Sequence, residues 1–107
     1  MNSATYAVDR YVLDTLMADL VGHDHRPSAF LVYLAILAAA GEGRATLSYA
    51  ELAERTGLSK RAAQDAVALL SRRSLIEVDR RGPTETPRYR PLSPWRRQED
   101  RTSTSGA

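Results

Sequence analysis

The 107-residue sequence predicts a mostly α-helical fold closed by a small β-hairpin, on three observations. Residues 51–70, "ELAERTGLSKRAAQDAVALL", hold two apolar-periodic segments joined only by Thr56-Gly57-Leu58-Ser59, a connection too short to let two helices separate. Upstream, "AFLVYLAILAAA" is apolar nearly all round, which is the pattern of a helix at the centre of a fold. Downstream, "LIEVD" and "RYRPL" read as strands joined by the Pro- and Gly-containing "RRGPTETP".

The elements follow in order. Val8, Val12, Leu13, Leu16, Met17, Leu20 and Val21 recur at helical intervals, over an arc wider than the ~100° stripe that one core contact requires. Part of that arc therefore needs a second partner. "GHDHRP" interrupts the pattern, Ser28 is the candidate N-cap of the central helix, and Gly41 stands where a C′ glycine ends it. After "GEGR", "ATL" is a short strand, and Ser48-Tyr49-Ala50-Glu51 has the S-x-x-E spacing of a capping box. Gly57 ends that helix and Ser59 caps the next, whose Ala63, Ala66, Val67 and Leu70 form one core-directed face running to about Arg73. The polar tail, residues 98–107, is expected to be disordered.

Composition narrows the function. One small domain fits the length, and a multi-site enzyme does not. The absence of cysteine removes disulfides, thiolate catalysis and cysteine zinc sites. The longest apolar run, Phe30 to Ala40, is too short to span a bilayer, and "MNSATYAVDR" lacks a signal-peptide layout, so a soluble, cytoplasmic protein is expected. Net charge is only +2, but residues 1–43 carry −3, residues 44–97 carry +6 and the last ten −1. The basic charge belongs to the segment after Gly43.

On the third helix, the face opposite Ala63, Ala66 and Leu70 carries Arg61, Gln64, Asp65, Ala68 and Arg72, with Lys60 at its edge. Lys60 and Arg61 lie in the first turn, where the helix dipole disfavours cations by roughly 0.3 to 1 kcal/mol. An incoming phosphate reverses that penalty. Ala68 is small enough for close approach to a groove floor, and Arg61 and Gln64 have the donors and acceptors to pair with base edges. Arg80, Arg81, Arg88 and Arg90 add four guanidiniums on the hairpin.

Helix, short strand, helix, tight turn, helix and hairpin, over residues 28–92, resembles the winged helix-turn-helix family of bacterial DNA-binding transcriptional regulators. Leu52, Ala53, Gly57, Leu58, Ser59 and Leu75-Ile76 carry the resemblance, while Ala63 departs from the usual Val or Ile and Ser74 from the usual Gly before the wing. The first departure predicts a slightly underfilled core and the second a strained helix end. The chain then divides into an N-terminal helix and dimerisation element (1–26), a winged helix-turn-helix domain (27–97) and the tail (98–107). The resemblance implies a nucleoid-associated, non-catalytic protein whose partner is double-stranded DNA. Ser59 and Lys60 would hold phosphates, Arg61, Gln64 and Asp65 would read bases, and Arg80, Arg81, Arg88 and Arg90 would serve as wing contacts. A homodimer interface is expected on the N-terminal helix, at Val12, Leu13, Leu16, Met17 and Leu20.

Two rivals share these residues: a protein-interaction adapter built on the same fold, and the DNA-binding module of a replication or partition protein. His23-Asp24-His25 offers two arms of a metal site but has no further His or Cys to complete it, so turn and capping roles are expected there and no cofactor. Trp95 is expected to pack the C-terminus against the domain, and the five scattered tyrosines form no stacking platform. No ligand pocket is legible, and the pattern leaves an effector undefined.

Overall fold

The structure, a computed structural model, describes residues 5–41, 43–82 and 84–96; the expected tail lies outside them. The first ordered element is the N-terminal helical segment, wound as a π-helix over Val12–Leu16 and Ala18–His23. Its bonds run five residues back: Met17 N–H donates to Val12 O, and Asp24 N–H to Asp19 O at 2.9 Å. Val12, Leu16 and Leu20 stand four apart, and the wider turn stacks them into one line that is wholly buried. Leu13, Met17 and Val21 form a parallel line beside it that remains 37–50% exposed.

That division corrects the expected interface. Val12, Leu16 and Leu20 belong to the protomer's own core and have no surface to offer a second copy, because the N-terminal segment shares one core with the rest of the chain.

Helix α1 spans Pro27–Ala40. Pro27 occupies its first turn, where a missing N–H costs nothing, and Arg26 is the capping position. Ser28 therefore lies inside the helix rather than capping it. Gly41 ends α1 at φ +59°, a conformation open to glycine. The helix packs against the N-terminal segment, the two helices that follow it and the sheet, as its all-round apolar sequence demands. Ala29, Val32, Tyr33 and Ile36 are fully buried.

Strand β1 (Ala45–Thr46) precedes α2 (Tyr49–Thr56), α3 (Lys60–Arg72), β2 (Ile76–Asp79) and β3 (Arg88–Pro91). The sheet is antiparallel in the order β1-β3-β2, with Tyr89 opposite both Ala45 and Val78. Alternation along β3 turns Tyr89 into the core and leaves Arg88 and Arg90 on the outer face. Residues 94–96 form a last helical turn. There Trp95 is buried, as expected, and stacks on Tyr11 with ring centroids 4.6 Å apart.

Candidate nucleic-acid interface

Local hydrogen bonding fixes the α2–α3 pair. Ser48 N–H donates to Glu51 Oε1 at 2.8 Å and Glu51 N–H donates to Ser48 Oγ at 3.1 Å, completing the capping box. The bonds from Ser48 hold the Glu51 carboxyl below its usual range. Gly57 takes the left-handed conformation (φ +81°) that reverses the chain. Thr56 Oγ1 donates to Leu52 O at 2.7 Å and accepts from Leu58 N–H at 3.3 Å, a role for Thr56 that the sequence reading missed. Ser59 Oγ then accepts from Ala62 N–H at 3.0 Å, so this hydroxyl is engaged as a helix cap.

Ala63, Ala66, Val67 and Leu70 of α3 are buried. Lys60, Arg61, Gln64, Asp65, Ala68 and Arg72 are exposed, so the stripe read from the sequence is the solvent face of the helix. Arg61 and Asp65 approach to 3.9 Å across one turn while the Arg61 side chain stays 86% exposed, a loose pair that leaves the guanidinium available.

The wing arginines divide into two kinds. Arg88 and Arg90 do share one face of β3, but the sheet register sets each opposite a carboxylate. Arg88 donates to Asp79 at 3.0 Å, and Arg90 donates to Glu77 at 2.9 Å, with Arg44 3.5 Å from the same Glu77. Hydrogen bonding from Arg90 lowers the Glu77 pKa and raises that of Arg90. Of the four guanidiniums expected on the hairpin, cross-strand pairing thereby engages two, Arg88 and Arg90, with carboxylates. Arg80 and Arg81, at the start of the loop, are exposed. Arg80 reaches back to α2, where its Nη2 donates to Tyr49 Oη at 3.2 Å. Tyr49, Arg80 and Lys60 thus meet around one shallow depression, which brings the base of the wing to the start of α3.

Two further clusters lie elsewhere. Asp19, His23 and Asp24 bring three potential ligand atoms within 4.8 Å of one another. Arg73, however, donates to Asp24 and, at 2.5 Å, to Asp19, so a guanidinium holds the carboxylates that a metal would need. His25 stands apart in a left-handed turn conformation (φ +56°). A cleft of about 470 Å³ also opens between the N-terminal segment, α1 and the C-terminal turn, lined by Tyr6, Val8, Tyr33, Leu37 and Trp95 among others, where the sequence suggested no pocket.

Tight-turned α2 and α3 on a central α1, followed by a two-stranded wing, define a winged helix-turn-helix. Residues 26–76 match the family model described as a helix-turn-helix domain. The match covers α1, α2 and α3 and ends at the first residue of β2, leaving the N-terminal segment and the returning wing strand outside it. No curated protein and no solved structure matches the chain. No helix among the described residues is long and apolar enough to cross a membrane.

Proposed function

We propose that this protein binds double-stranded DNA sequence-specifically as a small transcriptional regulator, with α3 in the major groove and the wing on the flanking backbone. One observation carries the reading: the face of α3 left outside the core is a long-armed polar stripe, and its N-terminal end meets the one part of the wing whose arginines lack carboxylate partners among the described residues. Arg61 and Gln64 read base edges, Asp65 borders them, and Ser59, Lys60, Arg80 and Arg81 hold the backbone. Arg88 and Arg90 reach phosphates only by giving up Asp79 and Glu77, so their contribution is smaller. The proposed activity is binding, with no chemical step, in a cytoplasmic, nucleoid-associated protein. Two copies, joined through Leu13, Met17 and Val21, engage half-sites about one helical turn apart.

The adapter reading draws less support. Among the described residues, the exposed large apolar side chains lie on residues 6–21 and at Leu31, and none lies on α3 or the wing. A replication or partition role uses the same contacts and differs only in the target.

Duplex binding measured over a salt series tests the proposal. Each neutralised phosphate contributes about −0.9 to the log–log slope, so Arg80→Ala with Arg81→Ala should flatten it by up to two such increments. After selection of a preferred site, Arg61→Ala or Gln64→Ala should reduce discrimination against random DNA by roughly 1 to 3 kcal/mol, whereas Lys60→Ala weakens all sequences alike. Absence of binding at low salt would overturn the reading, and equal losses on both DNAs would move Arg61 and Gln64 to the backbone.

A further inference from the structure

Beneath the wing, one buried polar group stands beside a possible partner without closing a well-formed hydrogen bond to it. Tyr89 on β3 is fully buried, and its hydroxyl has no hydrogen-bond partner among the described residues. Burial pushes this hydroxyl above the ordinary tyrosine range, and Tyr49 and Arg80 are the polar side chains that act on it. Folded proteins keep few such orphans, and a group of this kind asks for a physical reason.

Tyr49 supplies one. Its oxygen accepts from Arg80 Nη2 at 3.2 Å, a bond that holds this phenol toward the wing and short of hydrogen-bond geometry with the neighbouring Tyr89. Tyr49 and Arg80, with Ser48, Lys60 and Glu85, wall the shallow depression between the start of α2, the start of α3 and the wing loop, about 250 Å³ in volume. Two cations and a phenolic donor face one carboxylate there. That donor set suits a singly charged tetrahedral anion. The depression also adjoins Lys60, at the N-terminal end of the proposed groove-reading face.

We infer that this depression seats one backbone phosphate of duplex DNA, with Arg80 and the Tyr49 hydroxyl as its donors, Lys60 as a point charge and Tyr89 as the residue that positions Tyr49 from the core side. The inference rests on the DNA-binding reading above. As the phosphate takes Arg80, Tyr49 is released to close on Tyr89, accepting from Tyr89 Oη while its own proton turns to a phosphate oxygen, which one phenol can do at once. Binding then satisfies the orphan hydroxyl. The free protein carries an unmet hydrogen bond that the complex relieves, a trade of stability for function. Glu85 opposes the anion and tempers its affinity.

Random-sequence duplex and the full chain, in a salt series beside thermal unfolding, test this with Tyr49→Phe, Tyr89→Phe and Glu85→Gln. Tyr49→Phe should weaken binding roughly tenfold on every sequence, the loss expected for a hydrogen bond to a charged group. Tyr89→Phe should raise the thermal midpoint of the free protein and yet weaken the duplex, a pairing that a merely structural tyrosine would not produce. The double variant should bind no worse than Tyr49→Phe alone, and Glu85→Gln should bind more tightly. If the wild type binds duplex while both phenylalanine variants bind as it does, the phosphate seat is wrong and the DNA-binding reading stands. If the wild type binds no duplex at low salt, both fall together.

Discussion

Ser74 shows how a single residue can hold a fold slightly off its optimum. Its N–H donates to Ser71 O at 3.0 Å and the Leu75 N–H donates to Leu70 O at 2.9 Å, the paired bonds that close a helix through a left-handed C′ residue. Leu70 and Leu75 are both buried beside this closure, so the wing cannot start elsewhere. Ser74 sits at φ +57°, where a side chain costs about 1 to 2 kcal/mol and glycine costs only its greater freedom when unfolded. Ser74→Gly should therefore stabilise the protein by roughly 0.5 to 1 kcal/mol and raise its thermal midpoint by about 2 to 6 °C. An unchanged or lowered midpoint would mean that the serine side chain contributes a contact of its own. The strain was legible in the sequence, because a serine stood where the chain had to turn left-handed. Tyr89 was not legible, since nothing local says that a buried phenol will lack a partner.

Between elements, the N-terminal segment and the C-terminal turn are tied through Asp9. Its carboxylate accepts from Trp95 Nε1 at 2.9 Å and from Arg96 Nε and Nη2 at 2.6 and 2.7 Å, beside the Tyr11–Trp95 stack. These bonds, Arg96 first, hold the Asp9 carboxyl below its usual range. A carboxyl depressed by folding adds stability above its unfolded pKa, and that stability is lost as pH falls through the folded value. Asp9→Asn should accordingly lower the thermal midpoint at pH 7, and the gap to wild type should close as pH falls below the usual carboxylate range. Thermal unfolding of both proteins between pH 7 and 3 measures this; a gap independent of pH would assign the tie to packing alone. Asp24, Glu51 and Glu77 are depressed too, so the wild type itself should lose stability over the same acid range.

At the scale of the molecule, the proposed dimer rests on the second apolar line of the N-terminal segment. The C-terminal turn folds back onto Asp9 and Tyr11 and leaves Leu13 at 50%, Met17 at 39% and Val21 at 37% exposure. A row of large apolar side chains in water favours pairing with its like. Sedimentation at micromolar concentration should show a dimer that Leu13→Asp with Met17→Asp converts to monomer without unfolding it. The same substitutions at Val12 or Leu16 should unfold the chain instead, because those residues lie in its core. A concentration-independent species of 11.8 kDa would remove the dimer from the proposal.

The sequence by itself determined what depends on neighbours along the chain. Apolar spacing set the helices, Ser48-Glu51 and Ser59 set their caps, Gly57 set the turn, and the outer face of α3 followed from the position of its core face. Tertiary structure decided what depends on groups distant in sequence. Strand register set Asp79 against Arg88 and Glu77 against Arg90, cancelling charge that composition had counted as free. Core packing chose which of two apolar lines on the N-terminal segment was buried, and it brought Tyr49, Lys60 and Arg80 to one depression. Periodicity and capping are short-range and repeat within a few residues, whereas ion pairing and burial depend on which surfaces the assembled chain brings together.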